Sequence, residues 1–236
     1  MSVAGIIPAR YASTRFPGKV LVPIHGVPMV HHVYERASRS ALLDEVIIAT
    51  DSPLVAETCA RLGDRVVLTG AEHQSGTDRV AEAARQVSAE LIVNIQGDEP
   101  QLDPATVDAL VGHMQAHPEL LMGTVGSTLM APEDEADPNV VKVVGRGGLA
   151  VAFFRELPSP LPTGELLRHV GLYAYRSEFL QQFAAQPTSP GERELHLEQL
   201  RALELGTAIG LVTLEVAGKS IDTPADLDEI LAEWHG

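Results

Sequence analysis

Four short apolar runs, Val3–Pro8, Glu45–Thr50, Arg65–Thr69 and Glu90–Gln96, are rich in Val and Ile and do not alternate with polar residues. A strand with one wet face alternates. A strand buried on both faces does not, and such strands belong to parallel sheets covered by helices on either side. Amphipathic segments lie between the runs. Val30, Val33, Tyr34 and Ala37 follow helical spacing with Pro28 near the start, and Ser52-Pro53 has the form of a cap and first-turn proline ahead of Val55, Cys59 and Leu62. Val80, Ala83, Ala84 and Val87 repeat the spacing. So do Val107, Leu110, Val111 and Met114, behind the cap-like Asp103-Pro104. Repeated strand–helix units with right-handed crossovers predict an α/β fold, a three-layer sandwich around a mixed, mostly parallel sheet.

Beyond residue 120 the pattern changes. Val140–Val144 and Leu149–Phe154 flank Gly145-Arg146-Gly147-Gly148, which reads as a hairpin. Arg168–Arg176 and Ile209–Val216 are further strand candidates. Helices are expected over Glu192–Leu205 and at the C-terminus, where Leu227, Ile230, Leu231 and Trp234 form an apolar face. One domain over residues 1–236, with an inserted antiparallel lobe at about 130–205, accommodates these signals.

Charge narrows the choice of ligand. The chain carries 17 basic and 32 acidic residues, a net −15, which argues against nucleic acid or an anionic membrane as a partner. Residues 1–34 hold Arg10, Arg15 and Lys19 and no acid, whereas the remaining 202 hold 14 basic against 32 acidic residues. A basic island in an acidic protein suits one small polyanion, although charge alone also permits a solvated loop. The first residues lack the cationic start and cleavage site of a signal peptide, no apolar run is long enough to span a bilayer, and Cys59 has no cysteine partner. A reducing, cytoplasmic setting is therefore expected.

The island directly follows the first strand, in Pro8–Lys19. Ligands of open α/β sheets bind outside the carboxyl ends of the strands, where this loop must lie. Three permanent cations, two hydroxyls and backbone amides are what a triphosphate requires. Neither a P-loop nor G-x-G-x-x-G is present, which tells against a kinase or dehydrogenase. The fourth run ends in Asn94-Ile95-Gln96-Gly97-Asp98-Glu99-Pro100, placing Asp98 at the same rim. A carboxylate opposite a triphosphate needs a cation between them, and magnesium accepts carboxylates together with phosphate oxygens and water. Asp98 capping a turn is an equal alternative. In Asp222-Thr223-Pro224-Ala225-Asp226, Asp222 can face the same ion if Thr223 caps the following helix; if Asp222 is the cap, it is structural. Residues 73–79, His-Gln-Ser-Gly-Thr-Asp-Arg, read on their own as a polar turn with a good helix cap; their hydroxyls and backbone can also read a base edge, with Arg79 a fourth cation.

Taken together the residues resemble the 3-deoxy-manno-octulosonate (Kdo) cytidylyltransferases, also called CMP-Kdo synthetases. The similarity runs through IIPARYASTRFPGK, PMVHHVYERA, ATDSPLVAETC, HQSGTDRVAE, IVNIQGDEP, DPNVVKVV, RHVGLYAYR, LEQLRAL and DTPADL, in family order. It implies the nucleotide-diphospho-sugar transferase fold with a dimerising lobe, hence a homodimer, and a magnesium-dependent reaction of CTP with Kdo for lipopolysaccharide precursor synthesis. It also implies that Arg10, Arg15 and Lys19 grip the triphosphate, with Arg10 and Lys19 catalytic beside Asp98 and Asp222, the metal ligands. Ser75, Gly76, Thr77 and Arg79 lie around the nucleotide, and Gln96, Arg155, His169, Tyr173, Glu198 and Gln199 near the sugar. Arg155 and His169 are the expected partners of the sugar carboxylate.

Departures from the family pattern fall in the sugar half. Phe153-Phe154-Arg155-Glu156-Leu157-Pro158-Ser159-Pro160 stands where the family usually reads Phe-Ser-Arg-Ala-Pro-Ile-Pro. Leu195 stands where an acid is usual, with Glu194 one place earlier, and the segment between Pro162 and Arg168 is short. Alternatives are a cytidylyltransferase for another acidic sugar, such as amino-substituted Kdo, or a glycosyltransferase on the same fold. The adjacent His31 and His32 are expected to point apart on their helix, and Cys59 to be a buried, inert thiol. The pair His113 and His117 lacks a convincing third metal ligand.

Overall fold

A computed structural model describes residues 1–12, 16–218 and 220–233. The chain divides into two compact units, residues 1–108 with 218–236, and residues 109–217.

The first unit opens with β1 (Val3–Pro8), followed by the short strands β2 (Pro23–Ile24) and β3 (Val27–Pro28) and helix α1 (Met29–Ala37). Next come β4 (Glu45–Thr50), α2 (Pro53–Arg61), β5 (Val66–Leu68), α3 (Gly76–Ala84), β6 (Leu91–Asn94) and the start of α4 (Pro104–Ala116). The order β5-β4-β1-β6 is parallel throughout. Burial explains the unalternating runs: Val3, Ala4, Ile6 and Ile7 of β1, and Leu91, Ile92 and Val93 of β6, are all essentially inaccessible. The caps behave as their residues dictate. Ser52 accepts from the Val55 amide with Pro53 in the first turn, and Ser75 with Asp78 forms a reciprocal capping box. Because β4 and β5 lie on one side of β1 and β6 on the other, the strand order reverses at β1, the place beyond the carboxyl ends of the strands where open α/β sheets bind their ligands.

The second unit contains β7 (Met122–Ser127), α5 (Pro132–Ala136), β8 (Lys142–Arg146), β9 (Leu149–Phe154), β10 (Glu165–Arg176), α6 (Ser177–Ala184), α7 (Pro190–Leu195), α8 (Gln199–Glu204) and β11 (Ile209–Leu214). The hairpin is present as β8 and β9. β11 runs parallel to β7, while β7 pairs with β10, β8 with β9, and β9 with β11 in antiparallel fashion. The sheet is therefore mixed as expected, with its purely parallel part confined to the first unit. β8 also pairs with the start of β10, so these five strands curl back on themselves. Gly126 permits this curl: a Cβ there would lie 2.8 Å from Leu167 Cδ1. Chain order ends with α9 (Pro224–Glu233), which returns to the first unit. No described helix is long and apolar enough to cross a membrane.

One predicted helix is broken. In place of a continuous helix over Glu192–Leu205, α7 stops at Leu195, His196 takes a left-handed conformation (φ 53°, ψ 45°), and α8 starts at Gln199. The His196 amide closes α7 onto the Glu192 carbonyl at 2.8 Å. Arg201 then binds both oxygens of the Glu192 carboxylate at 2.7 Å, folding α8 back toward α7. Helical periodicity cannot register such a reversal, because both fragments keep the same apolar spacing. Val87 likewise falls beyond the end of α3, and Trp234 lies outside the described residues.

Candidate active site

Lys19, Asp98 and Asp222 meet at the rim beyond β1 and β6. The Lys19 ammonium donates to Asp98 Oδ2 at 2.6 Å and to Asp222 Oδ1 at 3.0 Å, across sequence separations of 79 and 203 residues. Lys19 is 12% exposed in its side chain, Asp98 24% and Asp222 36%, so the cluster is open to a ligand.

Each side chain arrives for a local reason. Lys19 begins a short 3-10 turn (Lys19–Leu21) entered through Gly18, whose φ of 72° is left-handed and whose amide donates to Tyr11 O at 3.0 Å. Val20, buried, pins that turn. Asp98 follows Gly97, where a Cβ would lie 3.1 Å from Pro8 O, so the absence of a side chain lets the β6 loop lie against the end of β1. Asp222 follows Ile221, which is buried with Ile24, Met29 and Ile230. The Ile221 amide donates to Asp98 O at 2.9 Å, joining the two acidic segments directly.

The capping question at Asp222 resolves in favour of Thr223. The Asp226 amide donates to Thr223 Oγ1 at 3.3 Å, while Asp226 Oδ2 accepts from the Asp222 and Thr223 amides at 2.9 and 2.8 Å. Thr223 is the cap, and the Asp222 carboxylate is turned to Lys19. Asp98 too directs its carboxylate to the ammonium. Two carboxylates within reach of one nitrogen can face one cation. Among the described residues no group of three or more His, Cys, Asp or Glu is placed to hold a metal ion. Two carboxylates are a donor set that a hard divalent ion accepts together with phosphate oxygens and water.

Arg10 is exposed just after β1, and Gln96 is half-buried just before Asp98. Arg15 lies outside the described residues. Ser75 accepts the Asp78 amide as a cap, Gly76 is exposed, and Thr77 is buried, its hydroxyl accepting from Asn94 Nδ2 at 3.3 Å. Arg79 is only 3% exposed; its guanidinium bonds Thr69 Oγ1 and Gly70 O and lies 3.5 Å from Asp51 Oδ1. It braces the loops after β4 and β5.

The sugar-side residues, except Gln96, lie in the second unit. His169 and Tyr173 sit on β10 with ring centroids 5.4 Å apart. Four residues of regular strand would separate them by about 13 Å. A bulge between Val170 and Tyr173 closes the gap, and Thr124 fills it, donating to Leu172 O at 2.9 Å with its oxygen 3.0 Å from His169 Nε2. Gly171 inside a strand was the available signal for that bulge. Burial, then the Arg168 charge, pushes the His169 imidazole down to about 3. His169 is therefore a neutral hydrogen-bonding group, and of the two expected partners of the sugar carboxylate only Arg155 brings a charge. Burial, then Glu198, raises the Tyr173 phenol well above its usual value, leaving it a neutral donor.

Arg155 donates to Leu195 O at 2.7 Å, Pro138 O at 3.0 Å and His196 O at 3.3 Å. These bonds take three of its five N–H groups. Glu198 accepts from Arg201 at 3.2 Å, and Gln199 is 5% exposed. Sequence reasoning missed Lys142, a fully buried lysine whose ammonium donates to Asp137 O at 2.8 Å and to Arg155 O. Its signal was a lone cation inside Val140-Val141-Lys142-Val143-Val144.

The expectations for His31, His32 and Cys59 hold. His31 turns to Asp64 at 2.8 Å and His32 to Ile24 O at 3.0 Å. Cys59 is buried, and desolvation with Asp64 beside it pushes the thiol up to about 12.

Comparison with known proteins supplies the family. A profile described as cytidylyltransferase matches residues 4–209. The chain is 47% identical to a 3-deoxy-manno-octulosonate cytidylyltransferase of Geobacter metallireducens, covering 98% of this chain and 97% of that protein. It is 44% identical to one of Syntrophotalea carbinolica over the full length of both. A solved CMP:2-keto-3-deoxy-manno-octonic acid synthetase complexed with CTP superimposes with a TM-score of 0.93 at 39% identity, covering 99% of this chain and 98% of the other. A cytidylyltransferase of Leptospira borgpetersenii, at 18% identity and a TM-score of 0.67, shares the fold. The chain belongs to the 3-deoxy-manno-octulosonate cytidylyltransferase family.

Proposed function

We propose that the chain joins CMP from CTP to Kdo, releasing pyrophosphate, with magnesium held by Asp98 and Asp222, and so supplies an activated sugar for lipopolysaccharide precursors. The observation that carries this reading is the convergence of Lys19, Asp98 and Asp222 on one point at the rim beyond β1 and β6. A sugar hydroxyl oxygen attacks the α-phosphorus of CTP, and the bond to the pyrophosphate oxygen breaks. Such transfers need alignment and charge neutralisation more than covalent help, so no protein nucleophile is assigned. Bound magnesium supplies charge at the α-phosphate and lowers the pKa of a hydroxyl that meets it. Lys19 and Arg10, with Arg15, offer cations to the charge gathering on pyrophosphate. In the second unit His169 and Tyr173 act as neutral partners for sugar hydroxyls, and Arg155 has two N–H groups left for the sugar carboxylate.

The resemblance further supports a homodimer. A buried Cys59 with no cysteine partner suits the reducing cytoplasm. Pyrophosphate release from each of the four nucleoside triphosphates with Kdo tests the reading: release should require CTP and a divalent ion. Product formed from a ready-made nucleotide sugar, without pyrophosphate, would instead indicate a glycosyltransferase. Because Phe154, Ser159 and Leu195 depart from the family pattern, the same assay run across 2-keto-3-deoxy sugar acids fixes the sugar.

A further inference from the structure

The nitrogen assigned to the distal phosphates is also the one that lies between Asp98 and Asp222, within hydrogen-bond reach of both. An ammonium and a divalent ion cannot share that position, since each needs the same carboxylate oxygens and their charges repel. Two half-open carboxylates facing each other carry two negative charges. The Lys19 ammonium, on a flexible four-carbon stem, offsets part of that while its backbone stays fixed by the Gly18 turn and buried Val20. We infer that Lys19 is an internal counter-cation that competes with the divalent ion for Asp98 and Asp222, and that a triphosphate relieves the competition by drawing the ammonium away. This inference rests on the metal reading above.

Its consequence is a linkage. With no phosphate to receive it, displaced Lys19 opposes the entering metal ion; with CTP present it has somewhere to go. Metal and nucleotide should then strengthen each other's binding, by one reciprocal factor. The device would keep the site from filling with a divalent ion in the absence of nucleotide.

Titration with Mn2+, followed calorimetrically or by its electron paramagnetic resonance, tests this without turnover. In the absence of nucleotide, Lys19→Met should bind Mn2+ about tenfold or more tightly than the unaltered protein, as removal of a unit charge a few ångströms from the ion implies. Lys19→Arg, which keeps the cation, should stay close to the unaltered value. The factor by which CTP improves Mn2+ binding should shrink in Lys19→Met. Equal or weaker Mn2+ binding by Lys19→Met, while Asp98→Asn abolishes it, overturns the competition but leaves the metal ligands standing. Unchanged Mn2+ binding in both Asp98→Asn and Asp222→Asn overturns the metal reading and this inference with it. A measurement on the unaltered protein guards against a poorly folding variant: amine-reagent labelling of Lys19, mapped by peptide, should rise when saturating Mn2+ is added without nucleotide. Unchanged labelling counts against the exchange.

Discussion

At the scale of single residues, charge and burial assign different work to groups that look alike in sequence. Asp98 and Asp222 share one ammonium, so removing one negative charge relieves mutual repulsion as well as losing an ion pair. Asp98→Asn is therefore expected to leave the melting temperature nearly unchanged while turnover falls by about 100-fold or more, the scale of a lost electrostatic partner in the transition state. Paired melting and pyrophosphate-release measurements check this, and normal activity would remove Asp98 from the metal site. Lys19→Ala should weaken CTP by roughly tenfold and CMP far less, because the lost contact is to the distal phosphates. Equal weakening of both in a binding titration would contradict that placement. His169 differs in kind: it stays neutral to about 3 in the folded protein, whereas in the unfolded chain it titrates near about 6.5. Between those values the unfolded chain binds the extra proton, so stability is lost as pH falls through that window and is fully present above it. Melting temperatures of His169→Gln should decline less than those of the unaltered protein from pH ~6.5 to pH ~4, and parallel curves would refute the buried neutral imidazole.

At the scale of elements, legibility followed the range of the interaction. The Ser52 and Ser75 caps and the β8–β9 hairpin depend on neighbours in sequence and were readable from it, and the parallel strands, though paired across long separations, showed as unalternating apolar runs. The β10 bulge and the α7–α8 reversal were not. Both are held by partners far along the chain: Thr124 against β10, and Arg155 on the carbonyls of Leu195 and His196. Lys142 shows the same limit, since a lysine within an apolar run signals something unusual without naming the carbonyls that receive it. The α9 cap lies between these cases. Sequence presented Thr223 and Asp222 as competing caps, and only the bonds to Asp226 chose. Because Asp226 fixes the amides of both Asp222 and Thr223, Thr223→Ala should cost about 1 kcal/mol of stability and also lower turnover by loosening Asp222. Thr223→Ser should restore both. Denaturant unfolding and steady-state rates measure the two effects, and full activity in Thr223→Ala would separate the cap from the site.

At the scale of the molecule, catalytic geometry depends on the last segment of the chain returning to the first. The basic island was legible as a cluster of cations because its charges are contiguous, but the meeting of Asp222 with Lys19 was legible only through family resemblance. What brings them together is apolar: Ile221 and Ile230 pack with Ile24 and Met29, and the residue before Asp222 anchors the segment that carries its carboxylate to Lys19. Truncating Ile221 and neutralising Asp222 should therefore separate folding from chemistry at adjacent positions. Ile221→Ala removes a fully buried side chain and is expected to cost about 2–5 kcal/mol, with CTP-dependent Mn2+ binding weakened because Asp222 loses its tether. Asp222→Asn, one residue on, should weaken Mn2+ binding at least as much with little change in unfolding free energy. If Ile221→Ala lowers stability yet binds Mn2+ and CTP as tightly as the unaltered protein, the closure of the chain is structural only, and Asp222 is positioned by the Asp226 and Asp98 backbone contacts without it.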